Sequence, residues 1–126
     1  MNIDKKKFSI VARIKSATFA IRGIGILIKT THNFWLQIFF GLLAVYLGFL
    51  LCISTIEWLF IIFAIGLVFI TEALNTAFEI DIDLTSPEYH PYAKDTKDVA
   101  AGAVIISVLL AIVVGLIIFV PKIFVL

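Results

Sequence analysis

The charges in this chain keep out of three long stretches, and that segregation constrains the fold more than any other feature. No Asp, Glu, Lys or Arg occurs at positions 30–56, 58–71 or 99–121. A helix that crosses the hydrocarbon core of a bilayer needs about 20 mostly apolar residues. The first and third stretches reach that length directly. The second reaches it only by running on into a series of acidic and amide side chains. With 62% apolar and 15% charged residues among 126, the composition is too apolar for a soluble domain of this size. The expectation is an all-α polytopic membrane protein, one domain over 1–126, with three transmembrane helices at 34–53, 57–80 and 99–120.

The polar series at the end of the second span is Glu72, Asn75, Glu79 and Asp83. At 3.6 residues per turn these four lie within roughly 80° of one another, so they form one acidic stripe on a helix. Glu72 begins at or inside the edge of the bilayer, where an ionisable group is costly and marks a functional site. A helix that only anchored the chain would not carry it. Asp81 points to the opposite face and is expected to be interfacial, as is Glu57 beside Trp58 at the other end of the span.

Residues 1–32 are of another kind. Lys5, Lys6, Lys7, Arg13, Lys15, Arg22 and Lys29 alternate with Phe8, Ile10, Val11, Ile14, Phe19, Ile21, Ile24 and Ile28, the pattern of an amphipathic helical region lying on a membrane surface. Arg13 and Lys15 interrupt any apolar core of a cleavable signal peptide. Seven of the ten basic residues precede the first span, and Lys94 and Lys97 lie between the second and third. The positive-inside rule therefore places both regions in the cytoplasm. The net charge of +1 averages a basic surface segment against the acidic stripe, and the basic residues have a membrane to lie on, so no nucleic acid partner is expected. Cys52 stands alone, which rules out a disulfide framework or thiolate cluster within the chain.

Carboxylates at a membrane edge can hold a divalent cation, act as a general base or relay protons. A relay across the bilayer needs polar steps deep in the spans. The first and third offer little beyond Gln37, Tyr46 and Ser107, so transport is disfavoured. The segment after the stripe supplies His90, Lys94 and Lys97 for anionic oxygens, with Asp95 and Asp98 beside them. Carboxylates that hold magnesium, together with lysines for phosphate oxygens, are the equipment of phosphoryl transfer. No GxxxxGK[ST] loop or soluble-kinase signature is present.

Two motifs carry a family resemblance. Glu72-Ala73-Leu74-Asn75-Thr76-Ala77-Phe78-Glu79, with Asp83 following, is similar to an E-x-x-N-[ST]-A-x-E signature, and Lys97-Asp98-Val99-Ala100-Ala101-Gly102-Ala103-Val104 is similar to a K-D-x-x-[AS]-x-A-V stretch. Both are features of the small integral-membrane diacylglycerol and undecaprenol kinases of bacteria, which the chain resembles over nearly its whole length from about Phe8. Ser86-Pro87-Glu88-Tyr89-His90 resembles the loop between the two motifs, and Arg22-Gly23 the approach to the first span. The resemblance implies an ATP- and magnesium-dependent kinase of a lipid alcohol. It also implies a homotrimer in the bacterial inner membrane, with its active sites on the cytoplasmic face. By the same resemblance Glu72 is the general base and Asn75 orients the site. Glu79 is a metal ligand, and Lys97, Asp98, Glu88, Tyr89 and His90 bind the nucleotide.

The chain departs from the family before the first span. Thr31 stands where the family commonly has a second metal-binding glutamate, Trp35 where a basic residue is often found, and Gln37 where a histidine or glutamate is frequent. A threonine hydroxyl is a neutral and weaker magnesium ligand. Either metal affinity falls or another group substitutes, and Asp83 is the nearest candidate carboxylate. The rival reading is a catalytically impaired membrane protein that binds lipid or nucleotide on the same scaffold.

Overall fold

The computed structural model describes residues 7–126. Lys5 and Lys6 of the basic segment lie outside the described residues. Four helices and no strand are found among the described residues: α1 (Ile10–Thr30), α2 (His32–Leu50), α3 (Thr55–Thr85) and α4 (Pro91–Ile123). The last three are each long and apolar enough to cross a membrane. The chain is an all-α, multi-pass membrane protein.

Helix α1 starts at Ser9, whose hydroxyl accepts the Ala12 N–H at 3.3 Å and satisfies one of the unpaired donors of the first turn. Phe8, Ile10, Val11, Ile14 and Phe19 are all exposed, and only Leu27 of this helix is buried by the rest of the protein. A basic helix whose apolar side chains the protein leaves uncovered suits a membrane surface. Its last turns rest on α3, where Ala20, Gly23, Ile24 and Leu27 share a crevice with Thr76 and Ile80.

At Thr31 the backbone becomes extended for a single residue, ending α1 and starting α2. The Thr31 N–H donates to the Leu27 carbonyl and the Thr31 carbonyl accepts from Phe34, both at 3.2 Å. Trp35 spans the bend by donating its indole N–H to the Ile28 carbonyl at 2.9 Å.

Helix α2 stops at Leu50, three residues short of the end expected for the first span. Cys52 adopts a φ of 50°, in the left-handed region. The N–H groups of Cys52 and Ile53 then return to the carbonyls of Phe49 and Gly48, which ends the helix as a glycine usually would. Gly48 lets the next helix come close, since a Cβ there would lie 2.6 Å from the Trp58 ring and 3.1 Å from Ile53 Cδ1.

Helix α3 opens with a reciprocal cap. Ser54 Oγ accepts the Glu57 N–H at 3.2 Å, and Glu57 Oε2 accepts the Ser54 N–H at 2.8 Å. Glu57 also pairs with Lys122 at 3.2 Å, joining the start of α3 to the end of α4. The residue read as an interface marker thus holds this end of the bundle together. At the other end α3 runs to Thr85, past the apolar stretch, and α4 begins at Pro91. There His90 Nδ1 accepts the Tyr92 N–H at 3.2 Å, and the proline sits where its missing N–H is not needed.

The apolar core, Ile53, Ile61, Ile118 and Phe119, lies at the α2–α3 turn end of the bundle. Contacts nearer the stripe are more polar. Thr71 and Ser107 share a hydroxyl hydrogen bond of 2.8 Å between α3 and α4. Such bonds between membrane helices are worth about 0.6 kcal/mol, because the same hydroxyls also find partners when the helices are apart.

Candidate active site

The stripe on α3 passes from buried to exposed. Glu72 is 2% exposed and Asn75 8%, whereas Glu79 and Asp83 are open.

A buried carboxylate needs a donor, and Glu72 receives one from α2, where Gln37 Nε2 donates to Glu72 Oε2 at 2.7 Å. One turn on, Asn75 Nδ2 donates to Glu79 Oε1 at 3.2 Å, which leaves Asn75 Oδ1 buried without a partner. Thr76 donates its hydroxyl proton to the Glu72 carbonyl at 2.9 Å and lies 3.3 Å from Thr31 Oγ1. A hydroxyl has one proton to give. Thr31 is therefore the donor to Thr76, and its own oxygen lone pairs remain free.

Lys97 and Asp98, expected to bind nucleotide, are already engaged in ion pairs. Lys97 Nζ donates to Asp83 Oδ1 at 2.5 Å, and Lys94 Nζ to Asp98 Oδ2 at 2.6 Å. Glu88, Tyr89 and His90 are exposed in the α3–α4 connection, where Ser86 Oγ donates to the Glu88 carbonyl at 3.3 Å and His90 caps α4. The structure thus pairs Glu72 with Gln37, Asn75 with Glu79, and Lys97 with Asp83. The connection residues form no side-chain bond to any of these. No group of three or more His, Cys, Asp or Glu side chains that could hold a metal ion occurs among the described residues. Asp83 is paired with lysine and does not join Glu79.

Two clefts open beside the stripe. One of about 450 Å³ runs between α2, α3 and α4, with Asn33 and Gln37 toward one end and Gly41, Ile65, Ile112 and Phe119 further along. The other, about 490 Å³, lies between α3 and α4 and is lined by Asn75, Phe78, Tyr92, Asp95 and Thr96 among others. The first is apolar along most of its length and has amides at its mouth, the shape suited to a chain with one polar end. Sequence reasoning noted Gln37 only as an isolated polar residue of the first span and as a departure from a family pattern. Its partnership with Glu72 spans 35 residues and had no local signal.

Residues 18–119 match the sequence model for prokaryotic diacylglycerol kinase. An undecaprenol kinase of Bacillus subtilis is 42% identical over 86% of this chain and 88% of its own length. A diacylglycerol kinase of Synechocystis is 37% identical over 79% of this chain and 58% of its own, longer sequence. A diacylglycerol kinase of Escherichia coli is 30% identical over 81% of this chain and 71% of its own length.

Proposed function

The chain belongs to the prokaryotic diacylglycerol kinase family and is a lipid kinase, and from that premise we propose that it phosphorylates a membrane lipid alcohol with magnesium-ATP at the cytoplasmic face of the bacterial inner membrane. The observation that carries this reading is Glu72, a buried carboxylate held by a single donor beside an apolar cleft. The acceptor lipid enters that cleft with its primary hydroxyl toward Glu72. Glu72 takes the hydroxyl proton as the alkoxide-like oxygen bonds to the γ-phosphorus of ATP. The bond from that phosphorus to the β-phosphate oxygen breaks, and ADP leaves. Proximity and a fixed base supply much of what such a transfer needs.

The donors near the stripe fit a magnesium ion that arrives with its nucleotide and do not form a complete cage of their own. Glu79 offers one exposed carboxylate, and Thr31 offers free lone pairs. Magnesium is commonly held in this manner, by one or two carboxylates with phosphates and water. When bound, the ion neutralises charge on the phosphates. Lys97 leaves Asp83 to meet phosphate oxygens, Asp98 orders Lys94 beside it, and Glu88, Tyr89 and His90 contact the nucleoside. Asn75 holds Glu79 in place. Large side chains such as Phe63 and Phe49 remain exposed on the spans, which suits both lipid and the neighbouring subunits of a homotrimer.

Diacylglycerol would yield phosphatidic acid, and undecaprenol would yield undecaprenyl phosphate. The relative at 42% identity is an undecaprenol kinase, which puts undecaprenol first among acceptors to test. Purified protein in bilayers, given magnesium-ATP and each lipid in parallel, should phosphorylate one of them. ATP binding with transfer to neither would favour the rival, a catalytically impaired binding protein on the same scaffold.

A further inference from the structure

Glu72 Oε2 accepts from Gln37, and no other hydrogen bond reaches the Glu72 side chain among the described residues. The torsion that rotates a glutamate carboxylate is soft, so without this contact the two oxygens would exchange places freely. The amide also has a definite sense. An ionised carboxylate only accepts hydrogen bonds, so the NH₂ end of Gln37 must face it. That leaves Gln37 Oε1 buried and unpartnered, a state native proteins seldom tolerate without a reason. An apolar side chain of the same length would fill the same space beside Phe40 and Gly41 but leave the buried Glu72 carboxylate without its donor.

We propose that Gln37 is a positioning residue for the transfer step: it anchors Glu72 Oε2 so that Oε1 is the oxygen that meets the acceptor hydroxyl. This rests on the reading of Glu72 as general base. The contact also survives the proton's movement: the proton goes to Oε1, and Oε2 of the resulting carboxylic acid still accepts from Gln37 Nε2–H. No charge is created or lost on Gln37, and the proton stays on Glu72 until it departs to solvent or product.

The test compares wild type, Gln37→Met, Glu72→Gln and the double variant by lipid phosphorylation under magnesium-ATP. Methionine keeps the length and bulk of glutamine but has no donor. Gln37→Met should lower kcat about 10- to 100-fold, the usual effect of removing a group that orients a catalytic side chain, with the KM for ATP within about twofold of wild type. In the Glu72→Gln background the same change should cost no more than about twofold, because the group it positions is gone. Gln37→Asn, one methylene too short to reach Glu72, should behave as Gln37→Met does and covers the case in which methionine disturbs folding. Wild-type kinetics in Gln37→Met, or losses that multiply in the double variant, would overturn the assignment while leaving the kinase reading in place. An inactive wild type on both lipids would overturn the two together.

Discussion

Lys97 and Asp83 form an ion pair of 2.5 Å across the turn between α3 and α4, fourteen residues apart in sequence. Their side chains are 38% and 69% exposed, and pairs this open to solvent contribute about 0–1 kcal/mol. The ammonium is therefore held near the stripe by a partner that a phosphate can displace at little cost. In the same pairing Asp83, the nearest candidate for the carboxylate that Thr31 replaces, faces Lys97.

Lys97→Ala should raise the KM for ATP by about 10- to 100-fold, the worth of a charge-assisted contact. Asp83→Asn should leave that KM unchanged or lower it, with stability altered by less than about 1 kcal/mol. Steady-state kinetics and thermal unfolding in detergent measure both. A large KM increase in Asp83→Asn would mean that Asp83 itself contacts the nucleotide or its metal.

Magnesium should depend on Glu79 more than on any other side chain. Glu79→Ala is expected to raise the magnesium concentration for half-maximal activity by about tenfold or more, and chelation should abolish turnover. Thr31→Glu restores a carboxylate beside Thr76 and should shift the same midpoint downward. An unchanged midpoint in Glu79→Ala would remove its assignment as a ligand.

The α2–α3 end should be sensitive to packing. Gly48→Ala places a methyl group 2.6 Å from Trp58 Cη2, and overpacking of this kind costs about 1–3 kcal/mol. Cys52→Gly should instead be neutral or stabilising, since glycine occupies the left-handed region without steric cost. Thermal unfolding of the two variants should shift in opposite directions, or only in Gly48→Ala.

Much of this was legible in the chain, because charge is intolerable in lipid and its absence marks the spans. The stripe was legible for a related reason: Glu72, Asn75, Glu79 and Asp83 share a face by helical period alone. The early stop of α2 was hidden, since Cys52 is not a residue that advertises a left-handed turn. Ser54-Thr55-Ile56-Glu57 did carry the signature of a capping box, yet the pairing of Glu57 with Lys122 brings together residues from opposite ends of two helices. Gln37 and Glu72 meet only because α2 packs antiparallel to α3, and no local pattern records that.

The most direct test of the central claim is the turnover of Glu72→Gln on whichever lipid the wild type phosphorylates, measured with the helical content and oligomeric state of both proteins. Glutamine keeps the size of the side chain and its place beside Gln37 but cannot take a proton from the acceptor. The account predicts an intact fold with turnover reduced by about 10²- to 10⁴-fold. A folded Glu72→Gln protein with near-normal turnover would contradict it, and the base would have to be sought elsewhere.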